Sequence, residues 1–328
     1  MNEPLLLVTL EANAAARAVI AAGAGPDTRV VYLADLPEVD RAAALSQACV
    51  VLARNTAKEL RTGEAALLQS ARLIQFVTAG VDYIPLRDLP LELPVSSNGG
   101  AYSEPMAEHA LAMALTALKR LPIEHAKLTA GTFDQFKPNR MLAGTTCGIL
   151  GFGGIGVATA RLMRALGVKV HAINRRGATD EPVDWIGNTA DLDAMLAASD
   201  ILVLSLPLTP ASRGLIGQRE LSLMKPDAIL INMARGEIVD EAALFAHLQA
   251  KPAFTACIDA WWIEPVRHGQ FRMDHPFLSL PNVIASPHNS ASVSGWRDVA
   301  MRRAMANARR ALEGDAPQFL VPPEDRMM

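Results

Sequence analysis

Apolar and polar positions along the first hundred residues alternate between two periods. Residues 5–10, Val30-Val31-Tyr32-Leu33, Val50-Val51-Leu52-Ala53 and Leu73-Ile74-Gln75-Phe76-Val77 are short apolar runs that read as strands. Between them, residues 12–22, 39–48 and 58–70 carry helical patterns, with Gly23 as the stop of the first. Strands alternating with helices predict a small parallel-sheet domain with crossover connections. The stretch from Pro90 to Gly100 breaks this pattern with Pro94, Asn98 and the Gly99-Gly100 pair, and is the predicted linker. A long helix follows. Ser103 suits its cap, Glu104 and Glu108 its positive end and Pro105 its first turn, and Met106, Ala110, Met113, Ala117 and Leu121 recur at helical spacing. His109 on this helix reads as a packed histidine. Residues 123–129 form a second helical piece, expected to reach across to a partner subunit.

A second α/β pattern begins after residue 145. Residues 168–173, 201–206, 228–232, 253–259 and 283–285 read as strands, and 191–198 and 240–250 as helices. The last helix, 293–312, carries Arg302, Arg303, Arg309 and Arg310 as a solvated face, and the tail from Gly314 is expected to run over the surface. The opening run of this half, Cys147-Gly148-Ile149-Leu150, turns on Gly151, Gly153 and Gly156 and continues into a helical pattern. That is G-x-G-x-x-G between a strand and a helix. Gly151 permits the turn, Gly153 lets a pyrophosphate approach the backbone, and Gly156 lets the helix pack on its strand. The helix N-terminus then offers N–H groups and partial positive charge to the phosphates.

Composition narrows the class. A chain of 328 residues suits about two domains. Half of it is hydrophobic, yet no apolar run approaches the ~20 residues that span a bilayer. Leu5-Leu6-Leu7-Val8 has no basic leader and reads as a strand, not a signal peptide. A net charge of −3 argues against a nucleic-acid partner. Cys49, Cys147 and Cys257 lie far apart in apolar stretches, with no spacing for disulfides or a metal, so a reducing cytoplasmic setting is expected.

Two loops carry candidate chemistry. The predicted strand after the glycine turn ends in Asn174-Arg175-Arg176-Gly177, where a dinucleotide site usually offers an acid to the ribose hydroxyls. Two guanidiniums welcome a 2′-phosphate that an acid would repel, so NADP (NADPH) is favoured, with NAD as the weaker alternative. Thr78-Ala79-Gly80-Val81-Asp82 directly follows a strand end. Its backbone N–H groups suit an anionic substrate, though from spacing alone an ordinary β-turn is the better account.

Gln75-Phe76-Val77-Thr78-Ala79-Gly80-Val81-Asp82, Met106-Ala107-Glu108-His109-Ala110-Leu111, the glycine turn, Leu206-Pro207-Leu208-Thr209-Pro210, Ile231-Asn232-Met233-Ala234-Arg235-Gly236, residues 259–265 and Ser286-Pro287-His288-Asn289-Ser290 follow one another in order. In these motifs the chain resembles the D-isomer-specific 2-hydroxyacid dehydrogenases, which include glyoxylate and hydroxypyruvate reductases. The resemblance covers nearly the whole chain. It implies two doubly wound parallel-sheet domains of α/β class with a cleft between them. One is a discontinuous flavodoxin-like substrate domain, 1–98 plus 290–328; the other is a Rossmann NAD(P)-binding domain, 99–289. It further implies His288 as acid–base, Glu264 as its carboxylate partner, Arg235 as the substrate-binding arginine, and the backbone at Ala79, Gly80 and Val81 as the cradle for the substrate carboxylate. Cofactor contacts are implied at Met106, Gly151, Gly153, Gly154, Ile155, Gly156, Asn174, Arg175, Arg176, Leu206, Pro207, Met233, Ala234, Asp259 and His288. A homodimer acting on a small 2-keto acid is implied, without a metal, a nucleic-acid partner or a membrane.

The chemistry asks for these residue types. Reducing a 2-keto acid moves a hydride to C2 and a proton to the carbonyl oxygen. A histidine with a pKa near working pH suits the proton, a carboxylate orients its ring, and a fixed cation stabilises charge on oxygen. Two competing readings share the scaffold. Oxidation of an anion such as phosphite would ask for a lysine where Ala79 stands. A non-catalytic cofactor-sensing corepressor would not need Arg235, Glu264 and His288 together. Asn289-Ser290 and Trp261-Trp262 depart from the family pattern near the histidine and bear on substrate identity. The C-terminal regulatory domain of longer relatives is not expected.

Overall fold

The computed structural model describes residues 3–326. Its chain divides into two units, Met1–Tyr102 with Val293–Met328, and Ser103–Ser292.

The first unit is built on β1 (Leu5–Val8), β2 (Arg29–Tyr32), β3 (Val50–Ala53), β4 (Leu73–Phe76) and β5 (Val95–Ser96). They join in the order β2-β1-β3-β4-β5, every pair parallel, the flavodoxin-like doubly wound order. Every residue of β1, β3 and β4 is buried, as a sheet covered on both faces requires. Alternation along the strands assigns the faces. Leu6, Val8, Val50 and Leu52 pack with Ile20 of the helix Ala14–Ala24 and with Met301, Ala304, Met305 and Ala308 of the helix Trp296–Glu313. Leu7, Val51, Ala53 and Ile74 pack on the other side with Leu33, Leu45 and Leu68.

Several expectations for this unit need correction. The first helix runs through Gly23 and ends at Ala24, before Gly25. Gly23 is there for packing: a Cβ at that position would sit 2.6 Å from Met305 Cβ. Residues 58–70 do not form one helix. A turn at Thr56–Glu59 and a 3-10 segment at Glu64–Ser70 flank Gly63, whose φ of +86° a helix interior cannot adopt. Glu59 adds to the break, because its carboxylate accepts from the amides of Arg54 and Asn55 and from the Thr9 hydroxyl. β5 lies inside the predicted linker. The tail is also more than a surface run: Leu320 bridges Ser96 antiparallel, and the buried Arg326 guanidinium donates to the carbonyls of Leu91 and Leu93.

The second unit contains β6 (Thr146–Leu150), β7 (Lys169–Ile173), β8 (Trp185–Gly187), β9 (Ile201–Leu204), β10 (Ile229–Asn232), β11 (Thr255–Ile258) and β12 (Val283–Ala285). Their order is β12-β11-β10-β9-β6-β7-β8, all parallel, which is the Rossmann order extended by one strand. The helix Ser103–Leu118 packs against the helix Gly154–Ala165 and against β10, β11 and β12. Its expected cap is not made: Ser103 Oγ is buried without a hydrogen-bond partner. Strand β8 and the helix Gln218–Leu223 are additions to the sequence-based expectation. Because the sheet is parallel, the loops after β6, β9, β10, β11 and β12 leave its same edge.

All three cysteines are free; burial pushes the Cys147 thiol up to about 12, and raises Cys257 as well. Among the described residues no helix is long and apolar enough to cross a membrane, and no group of three or more His, Cys, Asp or Glu could hold a metal ion.

Candidate active site

The glycine turn is held by its neighbours. Gly151 has φ +98°, and a Cβ there would meet the Leu206 amide nitrogen at 2.6 Å; the Ser205 hydroxyl donates to the Gly151 carbonyl at 2.7 Å. A Cβ at Gly156 would lie 2.4 Å from that same carbonyl oxygen. Gly153 differs. It caps the helix Gly154–Ala165 in an extended conformation that any residue adopts, and a Cβ there would meet no protein atom within 4 Å. Packing therefore demands two of the three glycines and leaves the third to another cause. Gly154 is exposed and Ile155 half-buried beside it, and Leu206 and Pro207 follow β9 on the neighbouring loop. At the end of β7, Asn174 shapes the loop by accepting from the Arg176 amide and donating to the Ala178 carbonyl. Arg175 and Arg176 are exposed on it.

The loop after β10 is set by Asn232, which the sequence did not single out. Its Nδ2 donates to the Arg235 carbonyl at 2.9 Å, and its Oδ1 accepts from the Ala234 amide at 3.1 Å. Met233 and Ala234 are buried, and Arg235 is half-buried with Nη1 donating to the Ala234 carbonyl.

After β11, Asp259 is wholly buried, and Glu264 stands at the head of a short turn, Pro265–His268. Glu264 Oε1 accepts from the Trp261 amide at 2.7 Å. His268 Nδ1 accepts from the Glu264 amide at 3.0 Å, another contact the sequence did not suggest. After β12 the chain reaches His288, whose Nδ1 lies 2.8 Å from both carboxylate oxygens of Glu264. This engages Nδ1 and leaves Nε2 outside the contact with Glu264, on a side chain 33% exposed. Burial opposes charge on Glu264. The hydrogen bond and charge of His288, the Trp261 amide and the Arg235 guanidinium outweigh burial and hold its carboxyl below the usual carboxylate range.

Of the residues singled out from the sequence, the glycine turn, Met106, Asn174, Arg175, Arg176, Leu206, Pro207, Met233, Ala234, Arg235, Asp259, Glu264 and His288 belong to the second unit. Ala79, Gly80 and Val81 belong to the first, where they follow β4 and are half-buried.

Residues 111–290 match the family described as D-isomer specific 2-hydroxyacid dehydrogenase, NAD binding domain. A glyoxylate reductase of Aeropyrum pernix is 32% identical over 264 residues, 76% of each chain. A D-3-phosphoglycerate dehydrogenase of Archaeoglobus fulgidus is 32% identical over 235 residues, 70% of this chain and 44% of that protein, so this chain spans less than half the length of that relative. The crystal structure of a D-isomer specific 2-hydroxyacid dehydrogenase from Xanthobacter autotrophicus Py2, in complex with NADPH and MES, is 25% identical. It covers 99% of this chain and 100% of that one, with a TM-score of 0.79.

The chain belongs to the D-isomer specific 2-hydroxyacid dehydrogenase family.

A nicotinamide dinucleotide fits the residues present. The space a Cβ would fill at Gly153 opens at the N-terminus of a helix, where unpaired N–H groups suit phosphate. Ser290 Oγ, buried and without a protein partner, is a further polar group near the loop that carries His288. The two departures from the family's sequence pattern at Trp261 and Trp262 are used internally: Trp261 Nε1 donates to the Ser286 carbonyl at 2.9 Å and Trp262 Nε1 to the Val239 carbonyl at 2.7 Å.

Substitution at the glycine turn separates cradle from packing. Gly153→Val should leave the melting temperature near the parent's while weakening nicotinamide dinucleotide binding at least about tenfold, as one lost phosphate contact would. Gly156→Val should lower both, because its side chain would displace backbone. Calorimetric melting with a cofactor titration checks this; unchanged binding in Gly153→Val would refute the cradle.

Proposed function

We propose that the protein is an NADP(H)-dependent reductase of small 2-keto acids, of the glyoxylate or hydroxypyruvate type, forming the D-2-hydroxy acid. The observation that carries the reading is the pair of 2.8 Å contacts from His288 Nδ1 to the two oxygens of Glu264. Bound NADPH supplies the hydride to C2 of the keto acid. His288 holds the proton on Nε2 and passes it to the carbonyl oxygen, and in the reverse direction takes it back. Glu264 fixes the ring and stabilises the imidazolium by charge and hydrogen bond. Arg235 meets the carbonyl and carboxylate oxygens with its planar fork, and so favours the charge that builds on oxygen. The amides of Ala79, Gly80 and Val81 hold the substrate carboxylate. In this reading the first unit is the substrate-binding domain and the second the nucleotide-binding domain.

The cofactor preference rests on Arg175 and Arg176 at the end of β7, where the loop presents guanidiniums in the place of an acid. The NADPH in the Xanthobacter autotrophicus structure supports the same choice, and the name of the Aeropyrum pernix relative, a glyoxylate reductase, supports the substrate class. A homodimer belongs to the reading too. Leu121, Leu128, Phe133, Phe136 and Met141 are exposed within one short span of the second unit, and a partner copy would cover such an apolar surface.

His288→Ala should cut turnover of glyoxylate or hydroxypyruvate by roughly 10²-fold or more, with NADPH affinity nearly kept. Near-parental turnover would remove His288 from proton transfer, and a parent inert to every 2-keto acid but active on phosphite would replace the substrate class. Arg175→Ala combined with Arg176→Ala should weaken NADPH by well over tenfold and NADH little, since a phosphate contact of this kind is worth about 1.5–3 kcal/mol. Equal losses would end the phosphate assignment. Light scattering should give twice the 35.1 kDa chain mass; a single-chain mass would exclude the dimer.

A further inference from the structure

The buried carboxylate of Asp259 gathers the loop that follows β12. Ser286 Oγ donates to Oδ1 at 2.5 Å, the amide of Asn289 donates to Oδ1 at 3.1 Å, and that of Ser290 to Oδ2 at 3.3 Å. The amide of His288 donates to the Asp259 main-chain carbonyl at 2.9 Å. Three consecutive residues, His288, Asn289 and Ser290, are thereby fixed on one aspartate, and the first of them, His288, takes φ +49°, a left-handed conformation that is uncommon outside glycine.

Proton accounting extends this network by one residue. A serine hydroxyl has a single hydrogen, and at 2.5 Å from a carboxylate the Ser286 hydrogen is committed there. The second contact of Ser286 Oγ, at 3.0 Å to His109 Nε2, must therefore be one in which serine accepts and histidine donates. Neutral imidazole protonated on Nε2 and imidazolium both meet that condition. His109 Nε2 also lies 3.9 Å from Asp259 Oδ1. His109 is carried by the helix Ser103–Leu118, which packs on β10, β11 and β12, so the chain of contacts runs from a rigid element into the loop of the proton donor.

We infer that His109 is a positioning residue: it aims the Ser286 hydroxyl at Asp259 and so holds residues 286–290 in the conformation that presents His288. The inference rests on the reading of His288 as proton donor, and it is tested in the full chain by two independent measurements. His109→Leu should lower kcat about tenfold or more, as a small misplacement of a reacting group does, with the KM for NADPH within about twofold. Hydrogen exchange followed by mass spectrometry should show faster exchange in the peptide spanning residues 286–292, with β6 and β9 as protected as in the parent. His109→Gln keeps an N–H donor of similar reach and should restore both. Ser286→Ala should match His109→Leu, and the double variant should be no worse than either, because the two act in one chain. Parental kcat and parental loop exchange in His109→Leu would overturn the inference, as would failure of His109→Gln to restore either. If the parent reduces no 2-keto acid, the functional reading falls, and the exchange arm alone decides whether His109 braces the loop.

Discussion

A charge sealed from solvent organises the working edge of the second unit. Asp259 directly follows β11 with no exposed surface, and a buried carboxylate is tolerated only where donors surround it. β11 and β12 are neighbours in register, Ile258 beside Ala285, so one side chain at the end of the first strand reaches the loop that leaves the second. The amides of Asn289 and Ser290 and the hydroxyl of Ser286 meet the charge, and the backbone of His288 is bent in the process. The demand of a buried anion for donors thus becomes a constraint on where an imidazole points.

Adjacent loops are braced in the same manner. Glu237, just past Arg235, pairs with Arg267 at 2.8 Å, and both side chains are largely shielded. Gly236 leaves no room for a side chain, since a Cβ would lie 2.4 Å from the main chain of Trp261 and Trp262. The indoles of those tryptophans then reach back to Val239 and forward to Ser286. The loops after β10, β11 and β12 are therefore cross-linked by an ion pair, a backbone contact and two indole N–H bonds. Proton transfer and charge stabilisation gain most when the groups involved are fixed before the reaction begins, and this shell of contacts is the kind that fixes them.

The sequence made the architecture legible where a signal could be local. The fully buried strands β1 and β3 announce themselves as uninterrupted apolar runs, β4 as one broken only by the buried Gln75, and the glycine spacing marks the turn after β6. β5 and β8 were missed because two or three residues cannot establish a period, and the helix Gln218–Leu223 is scarcely longer than a turn and a half. Residues 58–70 were misread because a left-handed glycine overrode the apolar spacing. In the site, family motifs marked His288, Glu264 and Arg235. Asn232, Ser286, His268 and the contact of His109 were not legible, because each acts through a hydrogen bond to a distant segment or a neighbouring main chain. No spacing rule encodes the meeting of residue 109 with residue 286.

The route of the chain through the first unit has a consequence for how it is made. The helix Trp296–Glu313 packs on the sheet of β1, β3 and β4 and against the helix Ala14–Ala24, where Gly23 admits Met305. A ribosome delivers that cover only after the whole second unit. Until it emerges, Leu6, Val8, Val50 and Leu52 keep only the cover of Ile20 and its helix on that face, whereas the second unit, continuous from Ser103 to Ser292, already has every strand of its own sheet. Vectorial synthesis therefore completes the second unit first, and the first keeps part of an apolar face exposed until its last helix arrives, the kind of surface that favours aggregation during folding.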